Sequence, residues 1–346
     1  MGRHPLEAQA FTLGSRHPHL MSDIFSHLNN SDTRLGSDDG ATDQTRRRVL
    51  GQLGEYVAAI VRPLNMRPRT ATIITEDATR VEVRVSTDHT HIVVVIAPDD
   101  DMAAELFFLR LLGGRHLPIP RLIAADLSCA MLPFPYIIHG HIAGSPLDTI
   151  EDAAIVGVAA RQIGRAMRQA HQIAAPGFGR PSPAGRWTTR SWSGVLNDWL
   201  GRLGVRSQAI AVLGDALANE LWAATVEHPL LECRQPSIIH GAVSPERAIA
   251  TVSSAAHLEA LTRPGEIVGG DPLFDLALAT LPRYPAAFQQ GIYEGYSAAG
   301  PLAPDQHASL QRLRLLLHTA DTLTNGNEVT LAGLPALATD ALRQLE

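Results

Sequence analysis

The chain has 346 residues and a net charge of −6, with 45% hydrophobic and 18% charged residues. That balance supplies core enough for two lobes or two small domains, and the acidic surplus argues against nucleic acid or an anionic membrane as partner. No apolar run reaches the ~18 residues of a membrane helix, and the N-terminus has no signal-peptide core. Cys129 and Cys233 form neither a metal-ligand spacing nor a disulfide framework. A soluble, cytoplasmic protein is therefore expected. All 29 basic residues are arginine, so the chain is lysine-free. Schiff-base chemistry and lysine clamping of phosphates are thereby excluded.

Residues 1–40 are rich in His, Ser, Asp, Asn and Gly without a sustained period. They are expected to form a flexible extension, with a short helix near 21–28. His4, His17, His19 and His27 are too scattered for a metal site. The basic run Arg46-Arg47-Arg48 opens an amphipathic helix predicted over 45–61 and reads as a solvated face. Runs at 71–75, 80–86 and 91–96 are β-branched or alternating and predict an antiparallel meander. A helix carrying Glu105 follows over 102–112, and a further strand pair spans 117–138.

Beyond a Gly-containing linker at 139–147, long helices are expected at 153–173, 191–203 and 207–227. Short strands at 237–239, 247–252 and 257–262 come next. Helices at 271–280, 286–299 and 304–323 finish the chain. Asp271 reads as a helix cap with Pro272 at the first helical position. No internal repeat is present.

Several strings in this order carry a resemblance. They are Leu117-Pro-Ile-Pro-Arg121, Pro135-Tyr-Ile-Ile-His-Gly-His-Ile-Ala-Gly-Ser-Pro-Leu147 and Ala170-His171 followed by Gly177-Phe178-Gly179. Further on stand Ser237-Ile-Ile-His-Gly-Ala-Val-Ser-Pro-Glu-Arg-Ala-Ile249 and Gly270-Asp-Pro-Leu-Phe-Asp-Leu-Ala277. Together they resemble the aminoglycoside phosphotransferase and choline kinase superfamily. The resemblance implies an α+β, bilobal protein-kinase-like fold: a small antiparallel-sheet lobe over 41–139, including the helix with Glu105, and a larger helical lobe over 140–346. It also implies a catalytic loop at 240–247.

Phosphoryl transfer in such a fold uses a carboxylate that receives the hydroxyl proton, two oxygen ligands for magnesium and a lysine on the phosphates. By the resemblance, the proton acceptor's position holds Ala242, and one metal ligand's position holds Arg247. The other metal position falls at Thr262 or Arg263, and the lysine position near Val94 or Val95. The phosphate-covering turn at 77–80 has no glycine. Glu105, His240 and the Gly-Asp-Pro string remain.

No catalytic residue is assigned; the degenerate loop comprises His240, Ala242, Glu246 and Arg247. Candidate ligand-binding residues are Arg247, Arg263, Glu105, His139 and His141, and no metal ligand is named. The expected function is that of a pseudokinase whose interlobe cleft binds a small-molecule or peptide ligand; its arginines either receive an anion there or pair with Glu105, Glu246 or Glu266 and seal the cleft. Two alternatives stay open. One is different chemistry on the same fold, with His139, His141 or His240 as acid–base groups. The other is an ATP- and magnesium-dependent phosphotransferase in which Glu246 or Glu266 has taken over; without that, no cofactor is expected.

Overall fold

β-Branched and alternating runs form strands, and 3.6-residue periodicity forms helices, in the expected order. The computed structural model describes residues 24–30, 49–77, 79–98, 100–253 and 256–345. The chain clusters into two compact units, Met1–Asp99 and Asp100–Glu346.

In the first unit α1 (Leu53–Val61) buries Leu53, Val57, Ile60 and Val61. Strands β1 (Pro68–Glu76), β2 (Val81–Thr87) and β3 (His91–Ile96) form the antiparallel meander. Val83 faces Val94 and Glu82 faces Val95 across β2 and β3. Val94 and Val95 are fully buried, so the position that the resemblance gives to a lysine is core here. The turn at 77–80 is closed by Asp77, whose Oδ1 accepts from Thr79 N (2.8 Å) and Arg80 N (3.0 Å).

The short helix expected near 21–28 falls partly within the described residues. A helical turn at 24–30 buries Phe25 and Leu28. His27 Nε2 donates to Ala71 O (2.8 Å), and Gly54 N donates to Asn29 Oδ1 (2.7 Å). A Cβ at Gly54 would lie 2.1 Å from Phe25 O, so glycine lets this turn sit on α1. His4, His17, His19 and the run at 46–48 lie outside the described residues.

The second unit opens with α2 (Ala103–Leu112), the hairpin β4 (Leu122–Asp126) and β5 (Tyr136–Gly140), and the short β6 (Ser145–Pro146). The helix α3 (Ala153–Ala170) starts at Asp152, whose side chain accepts from Ala154 N and Ile155 N. Strands β7 (Phe178–Pro181) and β8 (Trp187–Thr189) make a hairpin that periodicity did not predict. After α4 (Trp192–Arg202), the single helix expected at 207–227 is two, α5 (Val205–Leu213) and α6 (Asp215–Ala224). Gly214, at φ 79°, adopts a left-handed turn that breaks it.

Strands β9 (Ser237–Ile238), β10 (Ala248–Val252), β11 (Ala256–Leu261) and β12 (Gly269–Gly270) complete two small sheets, ordered β11-β10-β6 and β8-β7-β12-β9. Helices α7 (Pro272–Ala279), α8 (Ala286–Ser297), α9 (Pro304–Asn325) and α10 (Glu328–Leu345) follow, the last unforeseen. Among the described residues no helix is long and apolar enough to cross a membrane.

The pair α3 and α8 packs through glycines. A Cβ at Gly295 would lie 2.1 Å from Arg161 O, and one at Gly164 would lie 2.2 Å from Ile292 O. Both clashes are with backbone, so whole helices would have to separate. Gly295→Ala is expected to cost about 1–3 kcal/mol by overpacking, more than the ~1 kcal/mol that alanine gains in helix propensity. Urea unfolding measures it; wild-type stability would mean that this crossing is loose.

Candidate functional site

The loop 240–247 joins β9 to β10 and is anchored from beneath by Asp275 of α7. Asp275 is fully buried. Its Oδ2 accepts from His240 N (2.6 Å), and its Oδ1 accepts from Gly241 N (2.7 Å). His171, at the end of α3, approaches Oδ2 with Nε2 (3.1 Å) and Tyr296 OH of α8 with Nδ1 (3.0 Å). Burial pushes the Asp275 carboxyl up, yet the His171 hydrogen bond and charge, with His240 beside it, hold it below the ordinary range. A buried carboxylate thus fixes the loop's first two amides.

The loop is laced to the stretch 262–265. Gly265 N donates to His240 O (2.8 Å), and Thr262 N donates to Arg247 O (2.8 Å). Thr262 Oγ1 donates to the same carbonyl (3.1 Å). Gly241 (φ 72°) leaves no room for a side chain, since a Cβ would lie 2.1 Å from Ile267 O. His240 Nε2 donates to Thr262 O (3.1 Å), while its Nδ1 is buried with no partner. Burial pushes this imidazole down to about 4, helped by Arg247, so it is neutral at pH 7 and its one N–H is already committed. That is a structural histidine rather than a proton shuttle.

Arg247 sits at the end of a 3-10 turn (Pro245–Arg247), and its Nη1 donates to Arg263 O at 2.6 Å. Arg263 has φ 52°, a left-handed backbone uncommon for a residue with a side chain. Thr262 has its hydroxyl turned onto backbone. The structure thus brings together His240, Ala242, Arg247 and Arg263. Their donor set is guanidinium and carbonyl, where a magnesium ion takes an octahedron of oxygens including carboxylates.

The remaining candidates lie elsewhere in the framework. Glu266 pairs with Arg202 (2.7 Å) and, more loosely, with Arg180 (4.0 Å). Arg180 also pairs with Asp101. Glu246 is exposed on the turn, and Glu105 is half-buried in the first turn of α2. His139 is buried in β5, where Nδ1 donates to Gly140 O (2.9 Å); His141 follows, half-buried. Asp271 caps α7 through Leu273 N (2.9 Å) with Pro272 next, as expected.

Sequence reasoning missed the chain Tyr296–His171–Asp275. Its one local signal was a carboxylate inside the apolar run Phe274-Asp275-Leu276-Ala277, since a buried charge in a helix must serve partners.

A family model described as "Phosphotransferase enzyme family" matches residues 70–316. Among solved structures, the chain is similar to aminoglycoside phosphotransferase APH(4)-Ia. One such structure is a thermostable aspartate-to-alanine variant in ternary complex with ADP and hygromycin B, at 16% identity and TM-score 0.58, covering 82% of this chain and 97% of that one. A fructosamine-3-kinase assigned as such only provisionally, from Haemophilus somnus, gives 16% identity, TM-score 0.55, and 80% and 92% coverage. The macrolide 2'-phosphotransferase of Brachybacterium faecium gives 19%, 0.53, and 83% and 98%. At these identities the likeness establishes the fold, which is the expected α+β, protein-kinase-like one. No curated protein matches the chain in sequence.

Proposed function

Starting from the phosphotransferase enzyme family, to which the chain belongs, we propose that this member is a binding protein for an anionic small molecule and does not transfer phosphoryl groups with magnesium. The observation that carries the reading is the 2.6 Å bond from Arg247 Nη1 to Arg263 O. Arg247 stands at one position that the resemblance gives to a metal ligand, and its guanidinium closes onto the backbone of Arg263, which with Thr262 is a candidate for the other. Positive charge is thereby built into the loop, and guanidinium recognises phosphate or carboxylate without a metal. Ala242 adds no group that accepts a proton.

Takeover by Glu266 finds no support, because that carboxylate is held by Arg202 and Arg180. Missing a carboxylate does not by itself empty such a fold: the APH(4)-Ia variant with alanine for an aspartate assembles with ADP and hygromycin B.

The test is calorimetric titration of ATP and inorganic phosphate, in chelator and in magnesium, into wild type and Arg247→Ala. Wild type is expected to bind at least one probe in chelator, and the variant at least about tenfold more weakly. Equal affinity in both proteins, or no binding, removes the arginine site. Magnesium-dependent turnover within the ~1–100 s⁻¹ of kinases would overturn the non-catalytic reading. Ala242→Asp alone is expected to create no activity, since Arg247 and either Thr262 or Arg263 still stand at the metal positions.

A further inference from the structure

A cavity of about 660 Å³ lies among α9, α10 and the segment that joins α7 to α8. Its volume is in the ordinary range for a small-molecule site. Arg314 and His318 line it one helical turn apart on α9, a spacing that puts both on one face. Arg314 is half-buried, and its protein hydrogen bond is from Nε to Thr280 Oγ1 (2.8 Å). Among the described residues no carboxylate forms an ion pair with it, so the two Nη groups keep their donors.

Desolvation of this guanidinium without a counter-ion is costly, and burial disfavours its charged form. Burial likewise lowers the neighbouring His318, which therefore offers a neutral imidazole at pH 7. The acids nearby are engaged: Asp321 with Arg283 (2.7 Å), and Asp340, an exposed part of the cavity lining, with Arg343 (2.9 Å). Side-chain amides of Gln289, Gln311 and Gln344 complete the polar wall, and Leu281, Leu315 and Leu337 the apolar one.

We infer that this cavity binds a small organic acid, its carboxylate held by the Nη1/Nη2 fork of Arg314 and its apolar body against the leucines. A carboxylate's two oxygens match the two parallel donors left on the guanidinium. The amides and His318 supply further donors, and the leucines favour an aliphatic or aromatic body over a bare ion. One wall belongs to α10, which lies beyond the residues 70–316 matched by the family model. It is separate from the loop at 240–247 and does not rest on the reading given for that loop.

Calorimetric titration with benzoate, and with inorganic phosphate as the bare-anion control, tests it on the full chain. Wild type is expected to bind benzoate saturably, and Arg314→Gln at least about tenfold more weakly. Leu337→Trp, at a position 37% exposed where added bulk enters the cavity rather than the core, is expected to abolish binding with the arginine intact. That second variant decides the matter if Arg314→Gln does not fold. No saturable binding of benzoate, or undiminished binding in Leu337→Trp, overturns the site. Phosphate binding as tightly as benzoate overturns the organic-acid assignment.

Discussion

Replacing Asp275 by alanine is expected to lower the unfolding free energy by about 3–5 kcal/mol. The carboxylate is fully buried and accepts from His240 N, Gly241 N and the His171 imidazole. Without it two backbone N–H groups and a buried ring nitrogen lose their acceptor at once, each at about 1–3 kcal/mol if unmet. Partial collapse of the loop recovers some of that sum, which sets the expected range below the total. Tyr296→Phe removes only the far end of the chain, one hydroxyl at 3.0 Å from His171, and should cost nearer 1 kcal/mol. Asp275→Asn keeps the shape but turns an acceptor into a donor toward one partner, so an intermediate loss is expected. Urea unfolding of the three variants orders them. A loss below about 1 kcal/mol for Asp275→Ala would mean that the loop's amides find other partners.

The framework was legible because its signals are local. Alternation in 80–86, the β-branched run at 91–96, the Asp271-Pro272 cap and the helical periods each act over a few residues. The order of motif strings carried the fold. What escaped notice depends on contacts distant in sequence or on single backbone choices. Gly214 splits a helix whose apolar period runs on across it. The helix α10 contains Pro335, which reads as a breaker, yet it forms with Leu334, Ala338 and Leu342 buried.

The short helix expected near 21–28 was legible, but what holds the turn at 24–30 was not: Phe25 and Leu28 are buried, and His27 and Asn29 bond to residues 71 and 54. At the site, the arginine substitutions were readable at positions 247 and 263. That Thr262 meets the Arg247 carbonyl and Arg263 its guanidinium was not, because no local pattern announces the division. The His171–Asp275–Tyr296 network joins the end of α3 to α7 and α8 more than a hundred residues on, so no spacing announces it.

The same loop makes a prediction about acid. His240 is buried, and its imidazole is pushed down to about 4 from an ordinary 6.5. Above pH 6.5 the ring is neutral in both the folded and the unfolded chain, and its contribution to stability is complete. As pH falls from 6.5 toward 4, the unfolded chain binds a proton that the folded one refuses, so stability drops through that window. Below 4 both forms are protonated and the loss is complete at about 3 kcal/mol, the depression multiplied by ~1.36 kcal/mol per unit. Asp275, with its own depressed pKa, adds a further loss only below its unfolded value of 3.8, outside this window.

Burial also lowers His228 and His318, so any contribution of theirs has the same sign as that of His240 and cancels when two proteins sharing both are compared. His240→Gln keeps a donor for Thr262 O and removes the titrating ring. Between pH 7.5 and 4.5, wild type should lose about 2–3 kcal/mol more than this variant in urea unfolding. Equal losses would mean that the ring takes its proton inside the folded loop. The Asp275 carboxylate and a buried, protonated His240 would then form an ion pair, and the loop would be a proton acceptor near neutral pH after all.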